Sequence, residues 1–234
     1  KTTHKAFTFL FIFQWLAGIL LAFTFSPRTW AGEFSQPHIH INIAIFLGLT
    51  IISFPLLIIY LKPYGTITRH TIAIAQMLSS ALLIHLSGGR IETHFHVFGS
   101  LAFLTFYRDW KILITASIVV ALDHFIRGTY WPQSVFGVLA PESWRWIEHA
   151  CWVVFEDIFL IYSILQSRKE MKSISTRQAF LEDLNLNIEN KVIERTEELN
   201  EANIKLSGAL NNLKQTQSQL VQSEKMSATG LLTA

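Results

Sequence analysis

Long apolar runs dominate the first two thirds of the chain and limit what it can fold into. The run Ala6–Phe25 has 20 residues and the run Ile39–Leu61 has 23. A helix that crosses a membrane needs about 20 mostly apolar residues. Half of the 234 residues are hydrophobic, with 18 Phe and 7 Trp, which is too apolar for an ordinary soluble domain. The sequence therefore predicts a membrane protein.

Six membrane helices follow from these runs and from the Pro and Gly residues between them. The fourth helix has only 14 residues, a length that also fits a tilted or partly re-entrant segment. The segment 127–145 is expected to be an interfacial loop. Within it, Trp131–Ser134 is assigned to the aromatic belt, with a lid over a site as the alternative. The six predicted helices are Ala6–Phe25, Ile39–Leu61, His70–Leu86, Thr93–Phe106, Lys111–Ile126 and Trp146–Leu165.

Lys and Arg in the short loops set the expected orientation, because positive residues concentrate on the cytoplasmic side. With six spans, both termini are predicted to be cytoplasmic, in the inner (cytoplasmic) membrane of a bacterium. No cleavage site follows the first apolar run, so we expect no cleaved signal peptide. Arg28, Arg90, Arg127 and Arg145 fall on the outer side, and the inner side carries Lys1, Lys5, Lys62, Arg69, Arg108, Lys111, Arg168, Lys169 and Lys172.

This topology brings seven of the nine histidines to the outer ends of their helices. Imidazoles and carboxylates converging from several helices suit a first-row transition metal. The sequence therefore predicts a metal site there, holding zinc, iron or copper, with a haem held by two histidines as a further candidate. The alternative is a pocket for an organic or proton signal. The candidate ligands are His38, His40, His85, Glu92, His94, His96, Asp123, His124 and His149.

Neighbouring candidates cannot all bind one ion, because residues two apart on a helix point in different directions. Of His38 and His40, and of His94 and His96, we expect one member to bind the metal. The other would cap a helix or support a ligand. Glu92 and His96 are four apart and share a helical face. Where His124 and His149 follow a carboxylate, we expect the imidazole to bind and the carboxylate to orient a neighbouring ring.

Other classes of site are disfavoured by composition. A single cysteine, Cys151, excludes an intrachain disulfide and a cysteine-rich metal site. The net charge of +2 is spread along the chain without a basic stripe, so no nucleic-acid partner is expected.

Beyond Arg168 the aromatic residues give way to Glu, Lys, Asn and Gln in a heptad pattern. The pattern predicts a long parallel coiled coil continuing the sixth helix, and hence a homodimer. Polar Asn185, Arg195 and Thr216 at seam positions are expected to fix its register. The fold class is therefore all-α: a six-helix transmembrane bundle continued into a long cytoplasmic parallel coiled coil. The seam is Leu181, Asn185, Ile188, Val192, Arg195, Leu199, Ala202, Leu206, Ala209, Leu213, Thr216 and Leu220.

Two segments of this helix, Glu194–Leu199 and Leu213–Gly230, resemble the part of bacterial sensor histidine kinases that leads into the phosphoacceptor helix. The membrane half, notably Gly89–Gly99 and Trp131–Gly137, is similar to the multi-span sensor region ahead of such kinases. The resemblance implies a sensor domain (1–166), a signalling helix (167–234) and a response regulator reached through a kinase core. No histidine follows His149, so we expect this chain not to phosphorylate anything.

The expected function is thus a two-component membrane sensor with a metal site near the outer face. A rival interpretation is an integral membrane metalloenzyme or haem-binding membrane protein, and a third is a receptor for a small apolar signal without metal. The lipid bilayer and a second copy of the chain are the other expected partners.

Overall fold

The computed structural model of the chain describes residues 2–31 and 33–232, and nearly all of them are helical. Two compact units are present, Lys1–Glu170 and Met171–Ala234. Among the described residues, five helices are long and apolar enough to cross a membrane. The helices are α1 (Thr2–Phe25), α2 (Ile39–Asn42), α3 (Gly48–Leu61), α4 (Thr66–Leu86), α5 (Ile91–Leu104), α6 (Trp110–Tyr130), α7 (Gln133–Phe136) and α8 (Arg145–Leu232).

Helix α4 is the centre of the first unit. It packs against α1, α3, α5 and α6, and most of its residues are buried. Its buried side chains are small or apolar, such as Ile72, Ala75 and Met77, and they contact the apolar faces of its neighbours. Polar Gln76 and Ser80 are also buried and bond to each other or to α5. The first unit is therefore a helical bundle around α4.

Two short elements were not predicted. Residues between α1 and α2 form an antiparallel hairpin of β1 (Arg28–Ala31) and β2 (Phe34–Pro37), in the register Arg28 to Pro37. The Arg28 Nε donates to Ser35 Oγ across it at 2.6 Å. Between α2 and α3, Ile43–Leu47 forms a π-helical turn, a wider form that recurs at functional sites. The predicted helix Ile39–Leu61 is therefore continuous in sequence but irregular near its start.

Helix ends agree with the predicted ones to within a few residues, with two corrections. Helix α4 begins at Thr66 instead of His70, since Gly65 is the residue that stops the preceding turn. Helix α6 runs to Tyr130 and α7 follows, so the segment 127–145 is partly helical rather than wholly a loop. Helix α5 has 14 residues and ends in a 3-10 turn, Thr105–Tyr107.

Contacts at both ends of α5 show that it runs antiparallel to α4 over nearly the full length of α4. At the end where α4 starts, Arg69 forms an ion pair with Asp109 just beyond α5, at 2.9 Å. At the same end, the Tyr107 hydroxyl bonds to His4 Nδ1 at 2.9 Å. At the other end, α4 and α5 are joined by the tight turn 87–90. The short α5 therefore runs in one direction along α4 and does not turn back on itself.

Candidate functional site

Six of the seven candidate histidines lie in two groups of three. The first histidine group is His38, His40 and His85, with ring centres 4.2 Å apart for His38 and His40 and 4.8 Å apart for His40 and His85. The second histidine group is His94, His124 and His149. The sequence suggested a single cluster, whereas the structure has two separate ring clusters.

The second histidine group is close to an equilateral triangle. Its ring centres are 5.5 Å apart for His94 and His124, 5.3 Å for His94 and His149, and 5.4 Å for His124 and His149. The three rings come from the first turn of α5, the last two turns of α6 and the second turn of α8. His94 and His124 are buried at 6% and 3% exposure, so this is an interior cluster where three helix ends meet.

Each ring in the second histidine group is held by its own helix in the same way. The Nδ1 atom of His94 lies 2.9 Å from Arg90 O, that of His124 lies 3.1 Å from Val120 O, and that of His149 lies 3.0 Å from Arg145 O. A carbonyl oxygen only accepts, so Nδ1 carries the proton in all three rings. The lone pair is therefore on Nε2 in each, and His94 Nε2 is buried without a hydrogen-bond partner in the part of the chain that the structure describes.

The first histidine group is arranged differently. His38 Nδ1 accepts a hydrogen bond from the His40 backbone N–H at 3.1 Å and so caps α2. A capping Nδ1 uses its lone pair on the backbone, which leaves the proton on Nε2. His38 is thus unsuited to bind a metal while it caps the helix, and it fits the capping role expected for one member of that pair.

Asp123 and Arg127 on α6 form an ion pair that also contacts α4, the segment 131–137 and a ring of the second histidine group. Arg127 donates to both carboxylate oxygens of Asp123 at 2.6 Å, to Ala81 O at 3.2 Å and to Ser134 Oγ at 3.0 Å. Asp123 Oδ2 lies 3.3 Å from His124 Nδ1. The carboxylate therefore stands beside a histidine ring as a supporting group. Arg127 was not among the predicted site residues, although its spacing of four from Asp123 could have indicated the pair.

The segment 131–137 brings one aromatic ring to each histidine group. The Trp131 ring centre is 5.0 Å from that of His85 in the first group. Phe136 is 5.2 Å from His149 and 6.2 Å from His124 in the second group. The Arg145 guanidinium lies 5.9 Å from the Phe136 ring. Within Trp131–Ser134, Trp131 contacts the first group, whereas the contacts with the second group come from Phe136, beyond that segment. The belt and the lid both stay predictions.

His96 and Glu92 lie outside both groups. His96 faces α1 and α4, where Nε2 is 3.0 Å from Gln14 Nε2 and Nδ1 is 2.8 Å from Ser80 Oγ. The Glu92 side chain is 64% exposed and 3.4 Å from Arg90. The predicted shared face of Glu92 and His96 therefore does not point at the other histidines, and His94 occupies the position beside them.

A cleft of about 410 Å³ opens beside the second histidine group. His94 and His149 line it together with Phe95, Arg145 and Trp152. Within the described ranges 2–31 and 33–232, no group of three or more His, Cys, Asp or Glu side chains stands ready to hold a metal ion. The cleft gives a small molecule a path to two of the three rings.

Comparison with known proteins gives one informative similarity. The chain is 32% identical over 73 residues to Transducer protein Htr8 of Halobacterium salinarum. The match covers 31% of this chain and spans only 11% of the length of that relative. No family model matches the chain, and no solved structure does. Together with the apolar helices and the long α8, the similarity supports a signal-transducing role at a membrane.

Proposed function

We propose that this chain is the sensory and transmitting part of a membrane signal-transducing protein, and that its sensor is a transition metal ion bound by His94, His124 and His149. The main support is the near-equilateral set of rings, each with Nδ1 tied to a carbonyl four residues earlier. Metal-binding histidines commonly donate their second ring N–H in this way, which fixes the ring and leaves the other nitrogen for the metal.

Ring spacing also fits a tetrahedral site. An imidazole bound at about 2.1 Å has its ring centre about 3.2 Å from zinc, so that three such centres at tetrahedral angles lie about 5.2 Å apart. The observed separations are 5.3–5.5 Å. Because the described residues form no metal-ready group, binding would require small shifts of the three helix ends that bring the Nε2 atoms together while the Nδ1–carbonyl bonds are kept. Three nitrogen ligands suit zinc, iron or copper(II) and leave a position for a small ligand.

A metal held by three helices would make their spacing sensitive to whatever else it binds. His149 lies near the start of α8, while His94 and His124 come from α5 and α6. Pulling or releasing His149 would therefore shift the start of α8 against the other two helices. An element with two alternative packings is what such a signal requires.

The output in this proposal is a dimeric coiled coil that ends in a kinase core. The apolar seam residues of α8 are exposed in a single chain, for example Leu199 at 65% and Leu213 at 67%. Pairing with a second copy would cover them. The parent protein would then be a sensor histidine kinase, with a response regulator as its downstream partner.

Metal content tests the proposal directly. The purified chain should contain about one zinc, iron or copper atom, measured by X-ray fluorescence, because three neutral imidazoles supply three of the four ligands of a tetrahedral site. Changing His94, His124 and His149 together to Ala should remove it. Glu92→Gln is the matched control, since this exposed carboxylate was predicted from the sequence but lies away from the rings.

Thermal stability provides the second readout. Added metal should raise the melting temperature of the wild type and of Glu92→Gln, but not that of the triple variant. A folded wild-type chain that neither contains nor takes up zinc, iron or copper would overturn the metal site. An intense visible absorption band would instead indicate haem.

A membrane metalloenzyme is the second candidate function, favoured by the cleft that reaches His94 and His149. Catalytic zinc sites combine three protein ligands with an open position. Two measurements distinguish these functions. A metalloenzyme would turn over a substrate when loaded with metal, whereas a sensor would change the kinase activity of a protein in which this chain is fused to a kinase core.

A further inference from the structure

A second cleft lies on the other side of the Asp123–Arg127 pair, away from the second histidine group. Its volume is about 330 Å³, and it lies between the π-helical turn, α3, α4 and α6. Its apolar walls are Ile43, Leu47 and Ile51 from one side and Leu78, Ala81 and Leu82 from the other. All these helices are apolar enough to span a membrane, so a ligand for this cleft would come from the bilayer.

One end of this second cleft is polar, and the polar side chains there differ in how many hydrogen bonds they make. Arg127 is fully engaged with Asp123, Ala81 O and Ser134. His85 is 9% exposed, and its ring contacts those of His40 and Trp131. It also interacts electrostatically with Asp123 and Arg127, but among the described residues its ring makes no hydrogen bond. A neutral imidazole carries one N–H donor and one acceptor, and leaving them unpaired in a buried place is costly.

We propose that this second cleft binds the ring of a membrane-soluble quinone, with His85 donating a hydrogen bond to a carbonyl oxygen. The volume is at the lower end of the range for small-molecule sites, which suits a ring with a short length of tail. A plain acyl chain would leave His85 unpaired. A charged lipid headgroup would need a free cation, and Arg127 is already neutralised by Asp123.

Two further features of the second cleft suit a flat carbonyl compound. Trp131 stands at its polar end and offers an aromatic ring for stacking. The π-helical turn Ile43–Leu47 contributes Ile43 and Leu47 to the wall, at a place where the helix is wider than normal. The three rings of the proposed metal site do not line this cleft, although Asp123, which does, lies 3.3 Å from His124 Nδ1. The proposed quinone site needs no metal.

The test uses the full chain in lipid nanodiscs with ubiquinone-1 as the probe, followed by quenching of tryptophan fluorescence. Wild-type protein should show saturable quenching. His85→Phe keeps the ring volume but removes the donor, so affinity should fall about threefold to tenfold, the loss expected for one hydrogen bond. Ala81→Phe fills the cleft and should abolish saturable binding. His70→Phe, on the same helix but outside the cleft, should bind like the wild type.

Several results would overturn the quinone site. They are quenching of the wild type that does not saturate, and affinity that is unchanged in both His85→Phe and Ala81→Phe. If His85→Phe does not fold, Ala81→Phe decides alone. The variant His124→Ala should keep quinone binding while losing metal, so failure of this site and failure of the proposed metal sensor are distinguishable.

Discussion

At the scale of single residues, two neighbouring glycines in the turn between α4 and α5 have very different surroundings. Gly88 and Gly89 both have positive φ, +73° and +75°. Among the described residues, a Cβ atom on Gly88 would meet nothing within 4 Å, whereas one on Gly89 would clash with Gly137 N and lie 2.8 Å from Val135 O. Gly89 therefore sets how closely this turn approaches the segment 131–137.

Replacing Gly89 with Ala should destabilise the first unit more than replacing Gly88. Gly88→Ala incurs only the left-handed backbone cost, about 1–2 kcal/mol, while Gly89→Ala adds an overpacking cost of about 1–3 kcal/mol. Thermal melting of both variants in the same detergent measures the difference. Equal melting temperatures would contradict this expectation and would show that the turn 87–90 can move away from the segment 131–137 at little cost.

The sequence singled out histidines that the structure brings into two groups, and their role as metal ligands stays a prediction. The sequence did not decide correctly between neighbouring candidates. The sequence paired Glu92 with His96 because they share a helical face. Helix α5, however, is buried on two sides: His96 faces Gln14 and Ser80, while His94 faces His124 and His149. Helical spacing shows which residues of α5 share a face. It cannot show which of two buried faces holds the site.

At the scale of elements, the helix ends were predictable because Pro and Gly mark them. Ser26–Pro27 follows α1, and Gly88 and Gly89 follow α4. The β1–β2 hairpin was missed, since its strands are four residues long and lack clear alternation of apolar and polar side chains. The π-helical turn could not be predicted, because its residues, mainly Ile, Ala and Leu, are also typical of a regular membrane helix.

The heptad in α8 leads to a prediction about association. Leu206→Lys combined with Leu213→Lys should convert a dimer to a monomer, because the two changes remove apolar packing and add two charges to a seam that already contains Arg195. Gln215→Lys is the matched control outside the seam. Light scattering on the chain in detergent gives the mass. A monomeric wild type would contradict the coiled coil.

At the scale of the whole molecule, the number of spans depends on α5. Its 14 residues are short for a bilayer of about 30 Å. The ion pair between Arg69 and Asp109 nevertheless places the residues just after α5 near the start of α4. The six-span prediction therefore requires α5 with its 3-10 turn to cross beside α4.

Cysteine labelling tests this topology. With Cys151 changed to Ser, single cysteines are introduced in place of Gln36, Tyr64 and Arg108, and intact cells are treated with an impermeant maleimide. Gln36→Cys should react from outside, whereas Tyr64→Cys and Arg108→Cys should react only after permeabilisation, as the loop charges predict. External labelling of Arg108→Cys would mean that α5 turns back within the bilayer.

The segment 131–137 is only seven residues long, yet its two aromatic rings touch separate histidine groups. The segment 131–137 is short, and Ser134 in it accepts a hydrogen bond from Arg127, which restricts its movement. Trp131 and Phe136 are thus five residues apart on one segment that is tied to α6. Under the proposals made above, occupancy of either site would act on this shared segment, so the effects of the two ligands would be coupled.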